Sequence, residues 1–220
     1  VNIDVLPNFA PYAKQSSAAL LQVNRLACER DDRMLYQNLS MVVHCGEIWH
    51  IKGANGVGKT SLLRQLSGLL PLVHGQVEWN RQLECPFIYL GHKLGLKDHL
   101  SAEENLAWLE ALSGVSNRVK RLAALDKVGM RGYEDSLVGH LSAGQKRRVA
   151  LARLHLTQAA VWLLDEPLTA IDQSGILVQQ SNLLQHTQQG GAVLLTSHQD
   201  LDMANVRILN LSALIKSDQC

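Results

Sequence analysis

Between Gly46 and Lys52 the chain reads GEIWHIK, a turn glycine followed by a short strand-like run. It leads directly into GANGVGKTS (53–61), a stretch with almost no bulk. Beyond it Leu62, Leu63, Leu66, Leu69 and Leu70 recur at helical spacing as far as Pro71, which predicts a helix stopped by that proline. Further on, AAVWLLDEP (159–167) is apolar without alternation. Such a run predicts a strand covered on both faces, as in the middle of a parallel sheet, with Trp162 in the core. AVLLTSH (192–198) reads the same way, and VRILNL (206–211) is a candidate later strand. Strands separated by helical segments predict an α/β sheet with crossovers.

Residues 97–155 differ. Ser101 and Glu104 form a capping-box pattern, Leu106, Leu109 and Leu112 follow at every third position beside Trp108, and RVKRLAALDKVGM suits a second helix. With no convincing strand in this stretch, it predicts a helical lobe inserted into the sheet domain. Residues 1–19, with an acid and two prolines among scattered apolar positions, predict a disordered extension and no signal peptide. The fold is then one domain over 20–215, which the 220 residues and 46% hydrophobic content allow. A formal charge of +1 does not resemble a nucleic-acid binder. No run reaches the ~18 apolar residues of a membrane span. Cys28, Cys45, Cys85 and Cys220 show no metal spacing and are expected as reduced thiols.

The glycine stretch fits G-x-x-x-x-G-K-[ST] through Gly53, Gly58, Lys59 and Thr60. Glycines let the backbone wrap a phosphate chain with its N–H groups inward, and the next helix adds its positive end. Lys59 is then placed to reach the β- and γ-phosphates, and the Thr60 hydroxyl to bind Mg²⁺. Asp165, ending a buried strand, suits Mg²⁺ held through water; Glu166 beside it suits orienting a water for attack. Ligands bind at this end of such sheets. Ser142, in LSAGQKRRVALARL (141–154), is an N-cap candidate, and the helix start behind it is a second anion site.

That segment resembles the LSGGQ signature of ATP-binding-cassette (ABC) ATPases. The order of glycine loop, helical lobe, LSxGQ, strand with Asp-Glu, TAID turn (169–172) and His198 is also theirs, over residues 20–211. The resemblance implies an α/β P-loop NTPase fold: a RecA-like parallel core, an N-terminal antiparallel β subdomain and the inserted helical lobe. It implies ATP and Mg²⁺ as ligands, with Gly53, Asn55, Gly56, Gly58, Lys59, Thr60 and Ser61 around the phosphates. It also implies a homodimer in the ATP state, in which Ser142, Gly144 and Gln145 act on the nucleotide of the partner subunit and Asp172 reaches the dimer interface. Glu166 matches the catalytic carboxylate, and His198 and Lys59 act with it on the γ-phosphate.

Two positions depart from the pattern. His92 stands where a loop glutamine is usual, as a water-mediated metal contact, a sensor or a surface histidine. No aromatic residue is evident to stack on adenine, and Arg30 is the candidate in its place. Lys146, Arg147 and Arg148 either balance nucleotide charge or form a solvated helix face. LACERDDRMLYQNLSMVV, YLGHKLGLKDHLSAEENL and HTQQGGAVLLTSHQDL, with LSAGQ in place of LSGGQ, resemble the ATP-binding subunits of cytochrome c maturation (haem exporter) systems. That resemblance implies integral membrane partners, indirect association with the cytoplasmic face of a bacterial inner membrane, and no nucleic acid. It also implies a coupling surface on the lobe, for which Leu94, Leu96, Leu100 and Leu106 are candidates, the alternative being the lobe's own core. The alternatives for function are another ABC transporter, a soluble ABC clamp on nucleic acid or ribosomes, and a small-molecule P-loop kinase.

Overall fold

The computed structural model describes residues 19–111, 116–201, 203 and 205–215. The expected N-terminal extension, save Ala19, lies outside these residues, as do Leu112 and Cys220. The strands are β1 (Ala19–Arg30), β2 (Arg33–His44), β3 (Ile48–Lys52), β4 (His74–Trp79), β5 (Phe87–Leu90), β6 (Val161–Asp165), β7 (Ala192–Thr196) and β8 (Val206–Asn210). The helices are α1 (Lys59–Leu66), α2 (Ala102–Ala111), α3 (Arg118–Lys127), α4 (Ala143–Ala152), α5 (Gln173–Gln188) and α6 (Leu211–Ile215).

One compact unit comprises residues up to Tyr89 with 158–165 and 185 onward. It holds two sheets. The first is antiparallel, in the order β2-β1-β4. β1 turns into β2 at Asp31 and Asp32, both with positive φ (53° and 56°), the backbone of a type I′ hairpin that matches strand twist. The second sheet runs β5-β6-β7-β3-β8, with β3 parallel to β7 and β8, and β6 parallel to β7. β6 and β7 are buried along their whole length, which explains their unbroken apolar sequence. The core of this unit joins the two sheets and α1, with Leu21, Tyr36, Ile51, Leu62 and Leu163 among its buried side chains. Tyr36 donates its hydroxyl to Gln65 Oε1 at 2.5 Å, and Gln65 Nε2 donates to the Ala27 carbonyl at 3.0 Å.

α1 is shorter than its leucine spacing predicts. It ends at Leu66 because Gly68, at φ 74°, closes a Schellman cap. Gly68 N donates to Gln65 O at 3.1 Å and Leu69 N to Arg64 O at 2.8 Å. Leu69 and Leu70 therefore lie beyond the helix, and Leu69 is exposed. The glycine stops this helix before Pro71 is reached.

The second unit comprises 90–157 and 166–184. No strand lies among the described residues of 97–155. α2 opens with the expected capping box: Glu104 N donates to Ser101 Oγ at 3.1 Å and Ser101 N to Glu104 Oε2 at 2.7 Å. α2 and α3 are pinned by Arg121, which donates to Glu103 at 2.7 Å and to Glu110 at 2.6 Å, all three buried. Leu106 is fully buried and belongs to the core of this unit, so it cannot line an open coupling groove. Leu94, Leu96 and Leu100 are half-buried.

Candidate functional site

β3 delivers the chain into the glycine loop, and α1 leaves it. Gly58 is the N-cap of α1 at φ 105°, and a Cβ there would stand 3.1 Å from the Tyr36 ring and 3.2 Å from Leu35. Only glycine meets both demands. No side chain caps this helix start and no acid lies in its first turn. The N–H groups at the start of α1 thus keep their pull on an anion. Lys59 Nζ is held over the loop by the carbonyls of Gly53 at 2.8 Å and Ala54 at 3.2 Å. Asn55 and Gly56 are exposed at its tip. Ser61 is buried beside the Cys28 thiol, so it offers the loop a backbone N–H and not its hydroxyl.

Thr60 and Asp165 meet at the base of the loop. The Thr60 hydroxyl lies 2.9 and 3.1 Å from the two carboxylate oxygens. Asp165 closes β6 and is buried, a costly place for a carboxylate unless it is hydrogen-bonded. Thr196 supplies the second donor: its Oγ1 donates to Asp165 Oδ1 at 2.9 Å. Nothing in the local sequence pattern marks Thr196 as a site residue beyond the hydroxyl that ends the LLT run. It lies opposite Asp165 in the parallel register of β6 and β7. Among the described residues no group of three or more His, Cys, Asp or Glu side chains is placed to hold a metal. The Thr60–Asp165 pair does fit Mg²⁺, which is typically held by one or two protein oxygens with phosphates and water completing its shell.

Two pins flank His198, which is exposed just beyond β7. His50, buried on β3, lies 3.1 Å from the Ser197 carbonyl, and Lys52 pairs with Asp200. Lys52 holds the Asp200 carboxyl below its usual range. Arg30 ends β1 on the surface, 3.6 Å from Asp31. His92 is exposed in the coil after β5.

In the second unit Ser142 caps α4 through a complete capping box. Gln145 N donates to Ser142 Oγ at 3.2 Å, and Ser142 N to Gln145 Oε1 at 2.9 Å. Gly144 lies against residue 170, where a Cβ would come within 2.4 Å of the Ala170 carbonyl oxygen. Glu166 carries φ 53°, a strained backbone for a non-glycine residue and of the kind that clusters at functional sites. The basic run is no uniform solvated face: Lys146 pairs with Asp98 at 3.1 Å, Arg147 is buried and Arg148 pairs with Asp172.

A helix start left open behind a glycine loop, with an ammonium, a hydroxyl and a strand-end carboxylate gathered on it, defines a nucleotide-binding P-loop. A capped LSAGQ helix elsewhere in the same chain narrows the class to the ATP-binding cassettes. Residues 36–169 match the ABC transporter family, and the chain belongs to it. It is an ABC-type ATPase domain. It is 46% identical over 201 residues to the cytochrome c biogenesis ATP-binding export protein CcmA of Pseudomonas putida, covering 87% of this chain and 96% of the relative. With the protein of the same name from Hahella chejuensis it shares 45% over 205 residues, covering 89% and 97%. An ABC transporter ATP-binding protein from Pyrococcus furiosus has the same fold, with a TM-score of 0.78 at 27% identity over 88% of this chain and 98% of that one.

Proposed function

We propose that the chain is the ATP-hydrolysing subunit of a membrane ABC complex for c-type cytochrome biogenesis, driving haem export or release of a haem-loaded chaperone. The convergence of Thr60 and Asp165 on the start of α1 carries the enzymatic part of this reading. The likeness to cytochrome c biogenesis export proteins along nearly their whole length carries the biological part. No described helix is long and apolar enough to cross a membrane. Membership of the ABC transporter family and the likeness to export proteins support integral membrane subunits as the partners that hold this chain on the cytoplasmic face of a bacterial inner membrane.

In this reading the α1 N–H groups and Lys59 bind and orient the phosphates. Thr60, and Asp165 through water, would hold Mg²⁺, which when bound would supply positive charge against that developing on the transferred phosphoryl group. Glu166, next to Asp165 in the chain, aligns the attacking water and takes its proton, and His198 contacts the γ-phosphate. Two copies close head to tail, with Ser142 and Gly144 of one against the nucleotide held by the other. Loss of the γ-phosphate removes the contact that joined them, and the halves part. Arg30 remains the candidate adenine contact and His92 the metal-sensing one.

Two experiments test the reading. Lys59→Ala is expected to weaken nucleotide binding, whereas Glu166→Gln keeps binding and stalls hydrolysis; parent-rate hydrolysis by Glu166→Gln would remove Glu166 from its role. Affinity purification from native membranes is expected to bring down small integral membrane subunits and a haem-handling membrane protein. Recovery of a different transporter's subunits would replace the biological assignment and leave the ATPase intact.

A further inference from the structure

The start of α4 and the segment 170–175 are locked at two points one helical turn apart. At the first, Gly144 packs on the Ala170 carbonyl with no room for a Cβ. At the second, Arg148 Nη2 pairs with Asp172 Oδ1. The Arg148 guanidinium lies in a slot that two glycines leave open. A Cβ on Gly175 would stand 2.6 Å from Nη2, and one on Gly129 would stand 3.2 Å from Nη1. Asp172 also caps the first turn of α5. Its Oδ2 accepts from the Ser174 hydroxyl at 2.8 Å and its Oδ1 from Gly175 N at 3.3 Å. The Asp172 carboxyl is held below its usual range, by Ser174 first and by Arg148 in addition. At the first contact the chain bends through Ala170 at φ 64°, a conformation that a non-glycine residue keeps only when its surroundings impose it.

We propose that Arg148 is a positioning residue that ties the TAID turn to the signature helix through Asp172, so that both elements meet the partner subunit's nucleotide as one body. The inference rests on the head-to-tail reading above. Arg148 itself need touch no nucleotide. Its side chain is only 19% exposed, against 64% for Asp172, and it is the two-glycine slot that keeps the guanidinium from rearranging as an open surface pair would. Without Arg148, the turn carrying Ala170 and Asp172 loses its ion pair to α4 and keeps the Gly144 contact.

The test uses the full chain carrying Glu166→Gln, with Mg²⁺-ATP, and reads dimerisation by sedimentation velocity. Adding Arg148→Ala is expected to weaken the dimer by about tenfold or more, while Arg148→Lys, which keeps the charge, recovers most of the loss. Asp172→Asn should weaken the dimer less when Arg148→Ala is already present than when Arg148 is intact, because the two act as one unit. Binding of a fluorescent ATP analogue to the monomer should stay within about twofold and the thermal midpoint within about 4 °C, readouts that general damage to the fold would move. Equal dimerisation with and without Arg148 overturns the inference and spares the sandwich reading. A fall in monomer nucleotide affinity and thermal midpoint alongside dimerisation also overturns it, since Arg148 would then be holding the fold. Failure of the Glu166→Gln parent to dimerise overturns the sandwich reading and takes the inference with it.

Discussion

Replacing Thr196 by valine tests how the carboxylate at the base of the site is held. The side chain is fully buried, and valine keeps its shape while deleting the hydroxyl. The change removes the 2.9 Å bond to Asp165 Oδ1, with Thr60 still donating to that buried carboxylate. A hydrogen bond to a charged group contributes about 1.5–3 kcal/mol. The folded-to-unfolded ratio should therefore fall by about 10–100-fold, at 1.4 kcal/mol per factor of ten. Urea unfolding followed by tryptophan fluorescence measures this, with an unchanged m-value showing that the same surface is exposed. Thr196→Ser keeps the donor and deletes one methyl, which limits its cost to about 1 kcal/mol. The Mg²⁺ concentration for half-maximal hydrolysis should rise by about 10–100-fold in Thr196→Val, the usual effect of losing a group that orients a metal-binding side chain. A loss below about 0.5 kcal/mol, within the range of neutral surface changes, would refute the argument that this bond holds Asp165.

His186 stacks on Trp162 at a ring separation of 3.9 Å, and burial pushes its pKa down to about 4. In the unfolded chain it titrates near 6.5, so its contribution is intact above that pH and is lost as pH falls toward 4, by about 3 kcal/mol in all. Urea midpoints across this window should decline for the parent, with a shallower decline for His186→Phe. Arg121→Ala strands the buried carboxylates of Glu103 and Glu110 and should cost about 3–5 kcal/mol, read by the same unfolding assay. Gly58→Ala adds a Cβ 3.1 Å from the Tyr36 ring at a φ of 105°; a loss of about 1–3 kcal/mol with weakened ATP binding is expected from thermal melts and nucleotide titration.

The features legible in the sequence were those fixed by local pattern. The glycine loop needed only its own residues, and β6 and β7 announced their burial by unbroken apolar runs. What escaped depends on neighbours distant in the chain. Thr196 matters because register sets it beside Asp165, 31 residues away. Arg148 reads in the sequence either as balancing nucleotide charge or as part of a solvated helix face, because its partner Asp172 and its glycine slot come from other segments. Leu106 read equally well as a groove residue or as core, since helical spacing gives a face but not what covers it. Leucine periodicity likewise carried the reading of α1 past its true end, where the left-handed Gly68 mattered more than Pro71.

In the proposed closed state two copies enclose two nucleotides, each bound by one glycine loop and closed by the other copy's signature. A structure of the Glu166→Gln chain with Mg²⁺-ATP tests it most directly. In that structure Ser142 and Gly144 should lie within hydrogen-bonding distance, about 3 Å, of the γ-phosphate held by the partner's Lys59. Nucleotide saturating both loops, with Gly144 facing solvent or a different surface, would contradict it.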